Sequence, residues 1–255
     1  MPLNESCEKV FWSHVNQDPA NYYFFIFDWK QRRDQTRILM AIEGENVEGL
    51  MLIYRDAIVQ LRGNREAVKT LLGSLDLDKV ELQAPLECED LVLRKYKLTF
   101  RVEMMLMRLL EGEEHIQVGH EPERLTVEDA EEIADLMRST NPEWWGDITA
   151  EMQKKMMEDA LWLGIKRDGK IVSVGSTRLT DFGCNIGIVA THEQYRNMGY
   201  ATSIVSALLK EILKTSSTAL IHVLSDNAPA VHVYSKVGFK PYKTYLFIRG
   251  EKTKE

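Results

Sequence analysis

Apolar Leu98, Phe100, Val102 and Met104 alternate with Thr99, Arg101 and Glu103 in KLTFRVEMML, the period of a half-buried strand. Other stretches of the first half read similarly. RILMAIE, VEGLMLIY and AIVQLRG, separated by turns at Gly44-Glu45-Asn46 and Arg55-Asp56, predict a three-stranded antiparallel meander. A helix beginning near Asn64 follows, with Ala67, Val68, Leu71 and Leu72 on one face, and KVELQAP is a further strand. Residues 5–16 can form a short helix, and the aromatic run YYFFIFDW (22–29) is a strand candidate. The stretch 109–126 is charged and turn-rich, which places a domain boundary near residue 115 and predicts domains at 1–114 and 115–255.

The second half opens with Thr126 as a helix N-cap, Asp129 in the first turn and Ala130, Ile133, Ala134 and Met137 down one face. That helix stops before NPEWWGD, and a second runs from about Thr149 to Ala160. LWLGIKR and KIVSVGSTRL meet at Asp168-Gly169, a strong hairpin signal, and CNIGIVATH is reached through a turn at Asp181-Phe182-Gly183. A helix with apolar Ala201, Ile204, Val205, Leu208 and Ile212 comes next. The strand TALIHVLS, a helix from Asn227 to Lys236 closed by Gly238, and the strand YKTYLFIRG complete the chain. This order predicts an α+β fold with a mixed central sheet and flanking helices.

Composition narrows the function. With 255 residues, 44% of them hydrophobic and 28% charged, the chain can bury the core of one large or two ordinary domains. A formal net charge of -7 argues against a phosphate-backbone binder, so no nucleic-acid partner is expected. No run of about 18 apolar residues suggests a membrane span, and MPLNESCEKVFW lacks the layout of an export signal, so a cytoplasmic location is expected. Cys7, Cys88 and Cys184 are odd in number and far apart, without CxxC spacing. They read as reduced thiols, neither a disulfide framework nor a metal site.

The join THEQYRNMGYATSIVSALLKEIL links a strand to a long apolar helix. A helix start presents unpaired N–H groups and about half a positive charge, and so binds anions. Gly199 lets backbone approach a phosphate, Ala201 keeps the next turn narrow, and Arg196 adds a forked cation. Glycine at such a join also has a purely steric explanation. The context carries the reading further. Arg196-Asn197-Met198-Gly199-Tyr200-Ala201 resembles the R/Q-x-x-G-x-G/A pyrophosphate loop of the GNAT superfamily of acyl-CoA-dependent N-acyltransferases, and VATHEQYR resembles its usual approach. Residues 227–239, with Asn227, Ala230, Tyr234, Gly238 and Phe239, are similar to the family segment N-x-x-A-x-x-x-Y-x-x-x-G-F. Asn197 stands where Gly is frequent and Glu193 where Pro is usual. Asn tolerates the left-handed region, so the loop remains open to a phosphate.

The resemblance covers about residues 115–250 and implies specific roles. Residues 196–202 (Arg196, Asn197, Met198, Gly199, Tyr200, Ala201 and Thr202) would hold the pyrophosphate of acetyl-CoA, and Ile188, Val189 and Ala190 would pair with pantetheine like an added strand. Asn227 would touch the pantetheine arm or simply cap its helix. Tyr234 occupies the position of the family's general acid, the role favoured here over simple packing on the helix face it shares with Ala230 and Val237. His192 or Glu193, or water, would take the proton of the acceptor amine. Trp144 and Trp145 either line an acceptor pocket or pack internally. No enzyme nucleophile and no metal is expected.

The expected activity is transfer of an acetyl or other acyl group to a primary amine of a small molecule or peptide, with a homodimer as a possible assembly. The alternative is a non-catalytic acyl-CoA-binding sensor. The N-terminal meander, helix and strand repeat part of the later element order, as in glycine N-acyltransferase relatives. There Arg65 and Glu66 stand where Gly199 and Tyr200 stand later, so the first half reads either as a degenerate GNAT-like half unable to bind CoA or as an unrelated α+β domain.

Overall fold

A computed structural model describes residue 3 and residues 7–44 and 46–253. Positions 5 and 6 of the expected first helix, Glu45 of the first meander turn and the last two residues lie outside the described residues. In chain order the elements are α1 (Glu8–Val15), α2 (Tyr23–Gln31), β1 (Thr36–Glu43), β2 (Asn46–Tyr54), β3 (Ile58–Gly63), α3 (Arg65–Ser74), β4 (Lys79–Pro85), α4 (Glu89–Lys95), β5 (Tyr96–Leu110) and β6 (Glu123–Arg124). There follow α5 (Ala130–Thr140), α6 (Pro142–Trp145), α7 (Ala150–Met157), β7 (Leu161–Arg167), β8 (Lys170–Arg178), β9 (Cys184–Thr191), α8 (Tyr200–Ile212), β10 (Thr218–Leu224), α9 (Ala228–Lys236) and β11 (Lys240–Lys252). The fold is α+β, a large mixed sheet flanked by helices.

The chain divides into two compact units, one of residues 1–106, 224–226 and 243–255, the other of residues 107–223 and 227–242. In the first, β1, β2 and β3 form the expected antiparallel meander, and β3 then pairs in parallel with β4 through α3. The core sits between these strands, α3 and α4, around Met51, Val68, Leu82, Val92 and Tyr96.

The aromatic run at 22–29 is a correction to the strand expectation: residues 23–31 are the helix α2. A continuous apolar run carries no period, and aromatic residues favour strands only where a pleated surface receives them. Here the rings meet at helical spacing instead. Tyr22 and Phe25 pack edge to face at 5.6 Å, and Tyr23 stacks on Phe27 at 5.8 Å. Trp29 Nε1 donates to Glu8 Oε1 at 3.2 Å, tying α2 to α1.

In the second unit β7, β8 and β9 are antiparallel, β6 pairs with β7, and β10 joins β9 in parallel through α8. Asp168 and Gly169 both have positive φ, 52° and 76°, as the expected tight hairpin requires. Thr126 and Asp129 form a capping box ahead of α5. Buried Ile204, Val205, Leu208, Leu209 and Ile212 seat α8 on the sheet, each worth about 1.5–3 kcal/mol of burial. Gly175 of β8 makes that close approach possible, because a Cβ there would press against Ile204 and Leu208.

Candidate functional site

The site is built where β9 delivers the chain to α8. Among the described residues the ladder between β9 and β10 consists of Cys184–Ala219, Asn185–Leu220 and Ile186–Ile221, after which the pairing ends. β9 itself runs on to Thr191, still paired to β8 along its other edge. Ile188, Val189 and Ala190 therefore lie on a length of strand whose backbone toward β10 is outside the ladder. The side chain of Ile188 is buried, whereas Val189 and Ala190 are half-buried.

After β9 a single 3-10 turn at Glu193–Tyr195 leads to the loop. His192 begins it, with Nδ1 accepting the Gln194 N–H at 3.3 Å, so the proton of the neutral ring lies on Nε2. Glu193 is exposed. Asn197 and Gly199 both take left-handed backbone, with φ of 63° and 83°. Asn197 thus adopts the conformation for which glycine is favoured at this position. Arg196 is exposed and its Nε donates to the Thr191 carbonyl at 3.4 Å.

The start of α8 is electropositive. It has no side-chain cap and no acidic residue in its first turn. Its first backbone bond runs from Ser203 N–H to Gly199 O, so the amides of Tyr200, Ala201 and Thr202 precede the helical ladder. Hydrogen bonds from such amides to a charged oxygen are worth about 1.5–3 kcal/mol each. Backbone amides, a forked cation and an open glycine fit a diphosphate.

Residues the sequence reading treated as a linker join the site from behind. Ser203 Oγ accepts N–H groups from Gly119 and His120, both at 3.1 Å, and Ser206 Oγ accepts that of Gln117 at 3.0 Å. This strap brings His120 Nε2 to the Met198 carbonyl at 2.8 Å. Arg167 Nη2 lies 3.1 Å from His120 Nδ1, and its Nε donates to the Tyr200 hydroxyl at 3.0 Å. The only sequence signal for them is polar character in a predicted linker and at a strand end.

Tyr234 lies on α9, which packs against α8. It is buried, in edge contact with Phe239 at 6.3 Å, and loss of water holds its phenol well above the usual tyrosine range. Asn227 caps α9, its Oδ1 accepting the Ala230 N–H at 3.2 Å. Cys184 is buried, with Sγ bonded to the Thr180 backbone and burial raising its thiol, the environment of an inert cysteine. Trp144 and Trp145 are half-buried, both on α6, and Trp145 packs against the cluster around Ile148.

The order of strands and helices, the interrupted ladder and the turn into α8 define the GNAT superfamily fold. Residues 162–248, from β7 into β11, match the family model described as FR47-like protein. A Drosophila protein of known structure aligns over 98% of this chain and 97% of its own with a TM-score of 0.74 at 15% identity. An acetyltransferase from the GNAT family of Colwellia psychrerythraea covers 98% of this chain and 99% of its own, with a TM-score of 0.57 at 12% identity. A tandem GNAT protein from the clavulanic acid biosynthesis pathway covers 86% and 84%, with a TM-score of 0.55 at 14% identity.

Proposed function

We propose that the protein is an acyl-CoA-dependent N-acyltransferase, using acetyl-CoA to acylate a primary amine. The observation that carries this reading is the continuity of two features: a length of β9 outside the β10 ladder leads directly into an uncapped, cation-flanked helix start. The first suits an extended amide-bearing arm and the second a diphosphate. Together they match the two chemical parts of coenzyme A.

The thioester supplies an acyl carbonyl activated toward amines and a thiolate leaving group. Arg196 and the amides from Gly199 to Thr202 hold the diphosphate, and Ile188 to Ala190 align the arm by backbone pairing. An amide C–N bond forms as the C–S bond breaks, the amine losing one proton and the thiolate gaining one. Tyr234 donates the second of these, since burial keeps its phenol protonated throughout the neutral range. The exposed carboxylate of Glu193, acting directly or through water, accepts the first, because His192 Nδ1 is engaged with the Gln194 amide. Asn227 retains its Nδ2 for the arm while Oδ1 caps α9. A small-molecule or peptide amine is the acceptor, and the setting is cytoplasmic.

The first unit fits a degenerate copy of the second. Both run three antiparallel strands, a crossover helix and a parallel strand held by three pairs. Gly49 in β2 receives Ala67 of α3 as Gly175 in β8 receives Ile204 of α8. The start of α3 is filled by its own side chains: Asn64 caps the Ala67 amide and Arg65 is paired to Asp90 at 2.6 Å. A diphosphate has no place there. The tandem organisation of the clavulanic acid pathway protein supports this reading.

The test is acceptor-dependent release of free thiol from acetyl-CoA across a pooled amine set, with coenzyme A affinity measured alongside. Turnover, with Arg196→Glu weakening affinity at least tenfold, is the expected result. Binding without release from any acceptor supports instead an acyl-CoA sensor, and no affinity at all removes both readings.

A further inference from the structure

We infer that His120 and Arg167 are positioning residues that hold the diphosphate loop in its binding conformation, a role that rests on the acyl-CoA reading above. The carbonyl of Met198 can only accept and the guanidinium of Arg167 can only donate, so the two contacts of His120 fix its state. Its Nδ1 accepts a hydrogen bond from Arg167 Nη2 at 3.1 Å and its Nε2 donates one to Met198 O at 2.8 Å. The two contacts therefore select one tautomer of the ring. The bond to Met198 falls between Asn197 and Gly199, the two residues with left-handed backbone, where the loop has the least conformational preference of its own.

The relay is itself anchored on all sides. The backbone of His120 is bonded to Ser203 Oγ, which also donates to Gly199 O at 3.0 Å, so one α8 serine ties the strap to the helix start. The His120 ring lies 4.2 Å from the Tyr200 ring, and Arg167 sits over that ring at 5.1 Å while bonding its hydroxyl and the Lys166 carbonyl. Every nitrogen of the Arg167 guanidinium thus has a partner within the protein. It is a brace carrying a charge, not an arm reaching for ligand. Its charge also has a direction. Bonded to Tyr200, the first residue of α8, this cation opposes the macrodipole, which is unfavourable for the empty helix and favourable once an anion is bound there.

The test compares the wild-type chain with His120→Leu, His120→Gln and Arg167→Met. Glutamine offers one carbonyl and one N–H on a single amide and can reproduce the relay, whereas leucine cannot. Calorimetric titration with coenzyme A is expected to show about tenfold weaker binding for His120→Leu and Arg167→Met, and His120→Gln within about threefold of wild type. Amide hydrogen exchange without coenzyme A is expected to quicken about tenfold at the bonded amides of Gly119, His120 and Ser203 in His120→Leu and to return toward wild type in His120→Gln. Equal affinity and equal exchange in wild type and His120→Leu overturn the inference, as does a glutamine variant no better than leucine in both. If the wild type binds no coenzyme A, the acyl-CoA reading falls, and the exchange comparison alone decides whether the brace holds the loop.

Discussion

Gly175 of β8 and Ile204 of α8 are in such close apposition that any side chain at position 175 would force the Ile204 side chain or the helix to shift: its Cβ would lie 3.0 Å from Leu208 Cδ1 and nearer still to Ile204 Cγ2. Because the first turn of α8 is the proposed diphosphate end of the site, packing at this glycine would set where that cradle stands. Gly175→Ala is expected to cost about 1–3 kcal/mol by overpacking, a fall of roughly 3–10 °C in thermal midpoint for a chain of this size. Thermal unfolding followed by circular dichroism checks it; an unchanged midpoint would show that α8 shifts freely.

Gly199 tests the loop and not the packing. Its φ of 83° lies where side chains are strained, yet a Cβ there would meet only His120 Nε2 at 4.0 Å. Gly199→Val should therefore cost about 1–3 kcal/mol of local strain or force the loop to re-form. The expected outcome is coenzyme A affinity down at least tenfold while the far-ultraviolet spectrum stays as in wild type. Retained affinity would mean that the left-handed conformation is unnecessary for binding.

Tyr234→Phe separates chemistry from packing. The ring contact with Phe239 survives the change, and only the hydroxyl is lost. Loss of a general acid typically costs about 10²–10⁴ in rate, so kcat should fall by at least about a hundredfold with KM for acetyl-CoA little altered. Since burial holds the phenol well above its ordinary value of about 10, kcat of the wild type should show no alkaline loss from this group below about pH 10. A phenylalanine variant with wild-type kcat would assign Tyr234 to packing alone.

Alkaline stability offers a check on the first unit. The Tyr96 hydroxyl donates to the Leu77 carbonyl at 3.1 Å, and burial pushes its phenol up to about 12. The folded state therefore keeps this proton more tightly than the unfolded chain, whose phenol titrates near about 10. The resulting contribution is complete below about pH 10 and is lost as pH rises from there through about 12. Tyr96→Phe should lower the denaturant midpoint at neutral pH and narrow its deficit relative to wild type on approaching pH 12. A deficit that is constant across that range would refute the linkage.

Local patterns carried much of the architecture. Alternation predicted β5, the 3.6-residue period predicted α3, α5 and α8, and Asp168-Gly169 predicted the β7–β8 turn, because each depends on residues adjacent in the chain. The turn into α8 was legible for the same reason: glycine, arginine and helix start fall within a few positions of one another. The run at 22–29 was not, since an unbroken apolar stretch fits either conformation and only its neighbours decide. Here Glu8 and Phe11 of α1 meet Trp29 and favour a helix.

By itself, then, the sequence determined most of the elements, their order and the uncapped, arginine-flanked start of one helix, all properties of short segments. Tertiary structure alone decided that the β9–β10 ladder stops at Ile186 and that a charged linker becomes a strap along α8. It also brought His120 beside Arg167 and Met198, residues far apart in the chain with no spacing to announce them. The physical reason is range: dihedral preference and periodicity act over a turn or two, whereas hydrogen-bond partners across a sheet or helix are chosen by how the whole core packs.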